Sequence, residues 1–230
     1  MATSSFPWLS RSLAVLRKDL RIEFRTRYAY SALLMFAITT LVTVSFSVGG
    51  FMSGPEMTDI AAALLWIILF FSAMAGLSRT FVQEEESGTV IALKMAAEPE
   101  PVYIGKYLFN VVLLFSLTVL VVPLFVVMLN LSVVLVGGFL ATVFLGAMGL
   151  AGASTILAAI VAKAGAKGSL MTVLSFPILL PLMLGAISAT RTALGGGPPG
   201  AINADLLMLF FYNGVALAAS LLLFEYVWNE

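Results

Sequence analysis

Apolar residues gather into six long runs along the chain, separated by charged breaks or by breaks rich in glycine and proline. The runs cover residues 30–48, 60–77, 107–129, 139–161, 170–189 and 206–227. A bilayer core about 30 Å thick takes about 20 apolar residues in a helix, and each run approaches that length. None contains Asp, Lys or Arg, and the only acid is Glu225 near the end of the sixth. The pattern predicts an all-α integral membrane protein whose six transmembrane helices occupy residues 30–227.

Residues 1–29 repeat differently. Phe6, Leu9, Leu13, Leu16, Leu20 and Phe24 recur at steps of three and four, and Arg11, Arg17, Lys18, Arg21 and Arg25 take the other side. This predicts an amphipathic helix lying in the inner membrane interface, with Trp8 and Tyr28 suited to the headgroup layer. A simple topogenic anchor would show the same alternation. The stretch also holds Asp19 and Glu23, and the run behind it is long enough to span. It therefore does not read as a cleavable signal, and the first span is expected to be retained.

Composition sharpens the class. The chain is 61% hydrophobic and 10% charged, whereas soluble domains are about 25% charged. Twelve basic and twelve acidic residues cancel, so net charge gives no reason to expect nucleic acid. Their distribution says more. Every Lys and Arg except Arg191 falls in 1–29, in the link 78–106, or in the link holding Lys163 and Lys167. The positive-inside rule makes those segments, and both termini, cytoplasmic.

The link 78–106 is the longest. It begins with Arg79 and passes Gln83, Glu84, Glu85, Glu86, Ser87, Gly88 and Thr89. Val90, Ile91, Leu93 and Met95 follow, and it closes through Glu98, Pro99, Glu100, Pro101, Gly105 and Lys106. One or two short helices stopped by the prolines are expected. A solvated charge run between spans would account for the acids. Docking to a cytoplasmic partner accounts for acids and apolar residues together, because charge sets register while apolar side chains fill a pocket.

These segments resemble a known family. Arg17-Lys18-Asp19-Leu20-Arg21-Ile22-Glu23 is similar to the entry of permeases of the type-2 ABC exporter superfamily. Residues 70–81, followed by Glu84, Glu86 and Gly88 and then by Pro99, Gly105, Lys106 and Asn110, resemble CcmB, the haem-exporter permease subunit of cytochrome c maturation. The resemblance implies that 1–29 is an elbow helix and that 78–106 carries a coupling helix seated on a separate ATPase. It places Glu84, Glu85, Glu86, Ser87, Gly88 and Thr89 at that contact with support from Arg79, and Lys163 and Lys167 as a second contact. It also implies a homodimer in the bacterial inner membrane, working with CcmA-like ATPase, CcmC-like haem-handling, CcmD-like small membrane and CcmE-like haem-chaperone partners. ATP would bind the partner, and haem would be handled by the complex. Without histidine the chain lacks the commonest axial haem ligand. ATP-driven release of a haem-loaded chaperone therefore stands beside passage of haem through this subunit.

The residues themselves exclude other chemistry. There is no G-x-x-x-x-G-K-[ST] motif: Gly105-Lys106 is followed by Tyr107, and position 100 is Glu. With no cysteine and no histidine, thiolate catalysis, Cys-based zinc sites and intramembrane Ser–His hydrolysis are impossible. An ion-coupled secondary transporter is the alternative, but such proteins usually keep ionisable residues at the membrane midplane, and this chain shows none there. Thr39, Thr43 and Ser47 share one face of the first span and either border a translocation path or bond their own helix. Gly138, Thr142, Gly146, Gly149 and Ala153 predict a closely packed face on the fourth span. Pro123, Pro177 and Pro181 predict kinks, and 190–205 reads as an irregular outer link.

Overall fold

Backbone amides and carbonyls cannot go unpaired in hydrocarbon, and each apolar run meets this demand by coiling into a helix. The computed structural model describes residues 7–48, 55–163, 169–198 and 200–229. Within them, α1 is Pro7–Thr26, α2 Tyr28–Val48, α3 Pro55–Leu77, α4 Val82–Glu86, α5 Val90–Ala96, α6 Pro99–Met128, α7 Val136–Lys163, α8 Ser169–Gly195 and α9 Ala201–Asn229. Helices α2, α3, α6, α7, α8 and α9 are long and apolar enough to cross a membrane, and no strand occurs among the described residues. The protein is an all-α multi-pass membrane protein. Phe6 and Lys167 lie outside the described residues.

Helix α7 is the hub. It packs against α3, α6, α8 and α9, and every residue from Gly149 to Ala159 is buried. Small side chains make this possible. At Gly146 a Cβ would sit 1.9 Å from the Trp66 ring of α3, so only glycine admits that indole. Trp66 is fully buried and donates its Nε1–H to Thr190 Oγ1 of α8 at 2.9 Å. The small-residue face expected on the fourth span is therefore where its neighbours close in.

The structure corrects two boundaries. The prolines that end α5 also begin α6: Ala97 is extended, and Pro99 occupies the first helical turn. An amide there has no intrahelical acceptor to lose, so proline starts a helix as readily as it stops one. Lys106 thereby moves from a loop end into a helix. The link 190–205 is not irregular throughout, because α8 runs to Gly195 and α9 starts at Ala201. Gly196, at φ 72°, ends α8. The Ala193 carbonyl accepts the Val134 and Leu135 amides at 3.1 and 2.9 Å. Pro123 stands inside α6, and Pro177 and Pro181 inside α8.

Helix α1 does not float free. It lies along α6, burying Ser12, Val15, Asp19 and Glu23 and leaving Trp8, Leu9, Leu13 and Phe24 exposed. The chain then breaks at Arg27, φ 54°, and Glu23 Oε1 accepts the Tyr30 amide at 2.8 Å. Helices α1, α4 and α5 gather at one end of the bundle, with the start of α6 and the ends of α7 and α9. Arg11 reaches Glu98 at 3.3 Å, and Lys94 lies 5.5 Å from the Trp228 ring centroid. Arg191 meets Asp59 at 3.8 Å, at the other end.

Candidate coupling surface

Helix α4 is amphipathic in an unusual sense, since its buried side carries a charge. Glu84 is 7% exposed, Asp19 of α1 6% and Lys106 of α6 2%. The Lys106 ammonium donates to the Thr80 carbonyl at 2.8 Å and to Glu84 Oε1 at 2.9 Å, and lies 3.1 Å from Asp19 Oδ2. Lys18 bonds the same Glu84 oxygen and sits 3.0 Å from Asp19 Oδ1. Thr89 Oγ1 donates to Glu84 Oε2 at 2.5 Å. Two carboxylates thus face two ammoniums in a closed group spanning three helices. Such a group adds little net stability, because desolvation offsets attraction, but it specifies one geometry.

The charges shift accordingly. Burial pushes the Glu84 carboxyl upward, yet the Lys106 charge and the bonds from Lys18, Thr89 and Lys106 outweigh it and hold it at about 2. Burial lowers Lys18, and the facing Asp19 and Glu84 overcome that and raise it above its ordinary value. Gly105, beside Lys106, lets α1 approach: a Cβ there would lie 2.6 Å from Val15 Cβ and 2.8 Å from the Ser12 carbonyl. A second polar chain runs deeper. The Thr80 hydroxyl lies 2.9 Å from Asn110 Oδ1, and Asn110 Nδ2 donates to Thr155 Oγ1 at 2.8 Å.

With Glu84 turned in, a different set faces out. Glu85, Glu86, Ser87, Gly88 and Thr89 are exposed, and Ile91 and Met95 of α5 are 70% and 80% exposed. Arg79 braces this surface from the side, pairing with Glu86, donating to the Tyr28 hydroxyl at 3.2 Å and stacking on its ring. Gly88, at φ 67°, turns the chain from α4 to α5. Acids and bare apolar side chains therefore sit together on a platform fastened from behind.

Comparison with known proteins agrees with the motifs. The family described as CcmB protein matches residues 10–225, which include α2 to α8 and most of α9. The chain belongs to the CcmB family. It is similar to heme exporter protein B of Bradyrhizobium diazoefficiens, 26% identical over 214 residues, 90% of this chain and 96% of that protein. It is similar also to heme exporter protein B of Rhodobacter capsulatus, 29% identical over 79% of this chain and 84% of that one. The Paracoccus denitrificans protein of the same name is 28% identical, over 89% and 91%.

Other expected positions in this CcmB-family chain are spread out. Lys163, exposed at the end of α7, shares a small cavity wall with Glu84, Glu85, Lys94 and Trp228. Thr39, Thr43 and Ser47 lie on the exposed side of α2, where Thr43 donates to the Thr39 carbonyl and Ser47 to the Thr43 carbonyl, both at 2.8 Å. They line no interior space within one chain. Sequence reasoning missed the union of Asp19, Lys18 and Lys106 with Glu84. The available signal was Lys106 and Asn110 four apart at the start of an apolar run, two polar residues that one helix face must satisfy together.

Proposed function

We propose that this chain is the membrane permease subunit of an ABC transporter complex serving haem export or haem-chaperone release in cytochrome c biogenesis. ATP hydrolysis on a separate, CcmA-like chain drives it. The observation that carries this reading is the exposed acidic and apolar platform of α4 and α5, fastened through Glu84 to α1 and α6. A loose loop would absorb a push, whereas this one passes displacement into the bundle. Glu85, Glu86, Ser87, Gly88 and Thr89 form the contact, Lys163 and Lys167 extend it, and Glu84 and Arg79 hold it in place.

The cargo class rests on the relatives named heme exporter protein B. CcmC-like, CcmD-like and CcmE-like partners and a second copy of the chain complete the complex, in the bacterial inner membrane with both termini cytoplasmic. Because Thr39, Thr43 and Ser47 face outward, any path along them closes only against another chain.

Co-purification tests the reading. The wild-type chain is expected to bring down a nucleotide-binding subunit, and Glu85→Lys with Glu86→Lys to weaken that association about tenfold or more, a loss of about 1.4 kcal/mol, with unchanged helicity. Undiminished association of the double variant, or ion-driven flux by the purified chain alone, defeats the proposal.

A further inference from the structure

A cavity of about 580 Å³ opens between α1, α2 and α6, away from the platform. Phe24, Leu34, Val112 and Leu113 give it apolar walls, and Glu23 and Arg27 are its charged lining residues. The two charges are placed differently. Glu23 is 8% exposed and fixed by the Tyr30 amide on Oε1, while Arg27 is exposed at the joint between α1 and α2. Among the described residues Glu23 Oε2 accepts no hydrogen bond, and no carboxylate pairs with the Arg27 guanidinium.

The cavity flanks two membrane-crossing helices at the level where α1 leaves the bundle. A hydrocarbon chain fits its walls, and the headgroup that fits its rim offers an anion to Arg27 and an N–H cation to Glu23. We propose that it binds one phospholipid whose headgroup carries a phosphate and a primary ammonium. The phosphate sits on Arg27, the ammonium on Glu23, and an acyl chain runs along Leu34, Val112 and Leu113. A choline headgroup has no N–H to give Glu23, and a glycerol headgroup offers neutral hydroxyls in place of a charge-assisted N–H donor, which is the weaker bond to a carboxylate. The assignment requires only that the chain spans a membrane, so it stands apart from the ATPase reading.

The test is native mass spectrometry of the full chain released from nanodiscs containing equal phosphatidylethanolamine, phosphatidylcholine and phosphatidylglycerol with identical acyl chains. Wild type is expected to retain one phosphatidylethanolamine, about tenfold in excess of phosphatidylcholine. Glu23→Gln keeps an acceptor for the Tyr30 amide and should equalise the two. Arg27→Gln should lower retention of both. Ser116→Phe, at the α6 wall, should empty the cavity with melting temperature unchanged. Equal retention by wild type, preference for phosphatidylglycerol, or phosphatidylethanolamine still held by a folded Ser116→Phe variant overturns the proposal. If Glu23→Gln does not fold, the wild-type lipid ratio and the other two variants decide.

Discussion

Lys106 faces two carboxylates in a site almost closed to water, so removing its ammonium strands both. Lys106→Met is expected to cost about 3–5 kcal/mol, read as a fall in melting temperature in detergent. Adding Glu84→Gln should recover part of the loss. Titration provides a second check. Glu84 is held at about 2 against an ordinary 4.5, so its contribution is complete above about 4.5 and drains away as pH falls toward 2. Wild type should lose its stability advantage over Glu84→Gln across that interval, and a pH-independent difference would contradict the assignment. The sequence shows three consecutive glutamates with nothing to separate them. Which one turns inward depends on how α4 rolls, and Phe81 against Phe224, at 5.4 Å between ring centroids, helps set that roll.

Between helices, the narrow distances are the informative ones. Gly105→Ala would push a methyl into Val15 and the Ser12 carbonyl, neither of which is the free end of a flexible chain. Lifting α1 from α6 should cost about 1–3 kcal/mol and speed tryptic cleavage at Arg17 and Lys18, with cleavage elsewhere unchanged. Gly146→Ala should act similarly by displacing Trp66 from Thr190, seen as a shift in tryptophan fluorescence. The apolar runs were legible because their length answers directly to membrane thickness. Their ends were not, because Pro99 is equally at home after α5 and at the start of α6, and only the lie of α1 along α6 shows why a glycine stands at 105. The outward basic side chains of α1 were legible too, but of its inward acids Asp19 gains meaning only from Lys106, far along the chain, and Glu23 only from the break at Arg27 that brings the Tyr30 amide to it.

Across the whole molecule, the described ends of the chain and α4 and α5 lie at one pole, with Arg191 and Asp59 at the other. The chain has no cysteine, so single introduced thiols report their side without background. Met95→Cys should react with an impermeant maleimide in inside-out vesicles only, and Arg191→Cys in right-side-out vesicles only. Labelling of both from one side would break the topology. Close packing at α7 was foreshadowed by the small residues at 138–153, whereas α2 and α9 look as apolar as α7 and yet stay largely on the outside. Hydropathy measures preference for a medium, and lipid and protein interior satisfy it alike.

The charge group joining Asp19, Glu84 and Lys106 also imposes a timetable on biosynthesis. Asp19 and Lys18 leave the ribosome early, Glu84 follows the first two spans, and Lys106, the buried ammonium of the group, arrives last. Until then α4 has nothing buried to hold its roll, so the outward set of Glu85, Glu86, Ile91 and Met95 takes its final orientation only after the third span has begun to emerge.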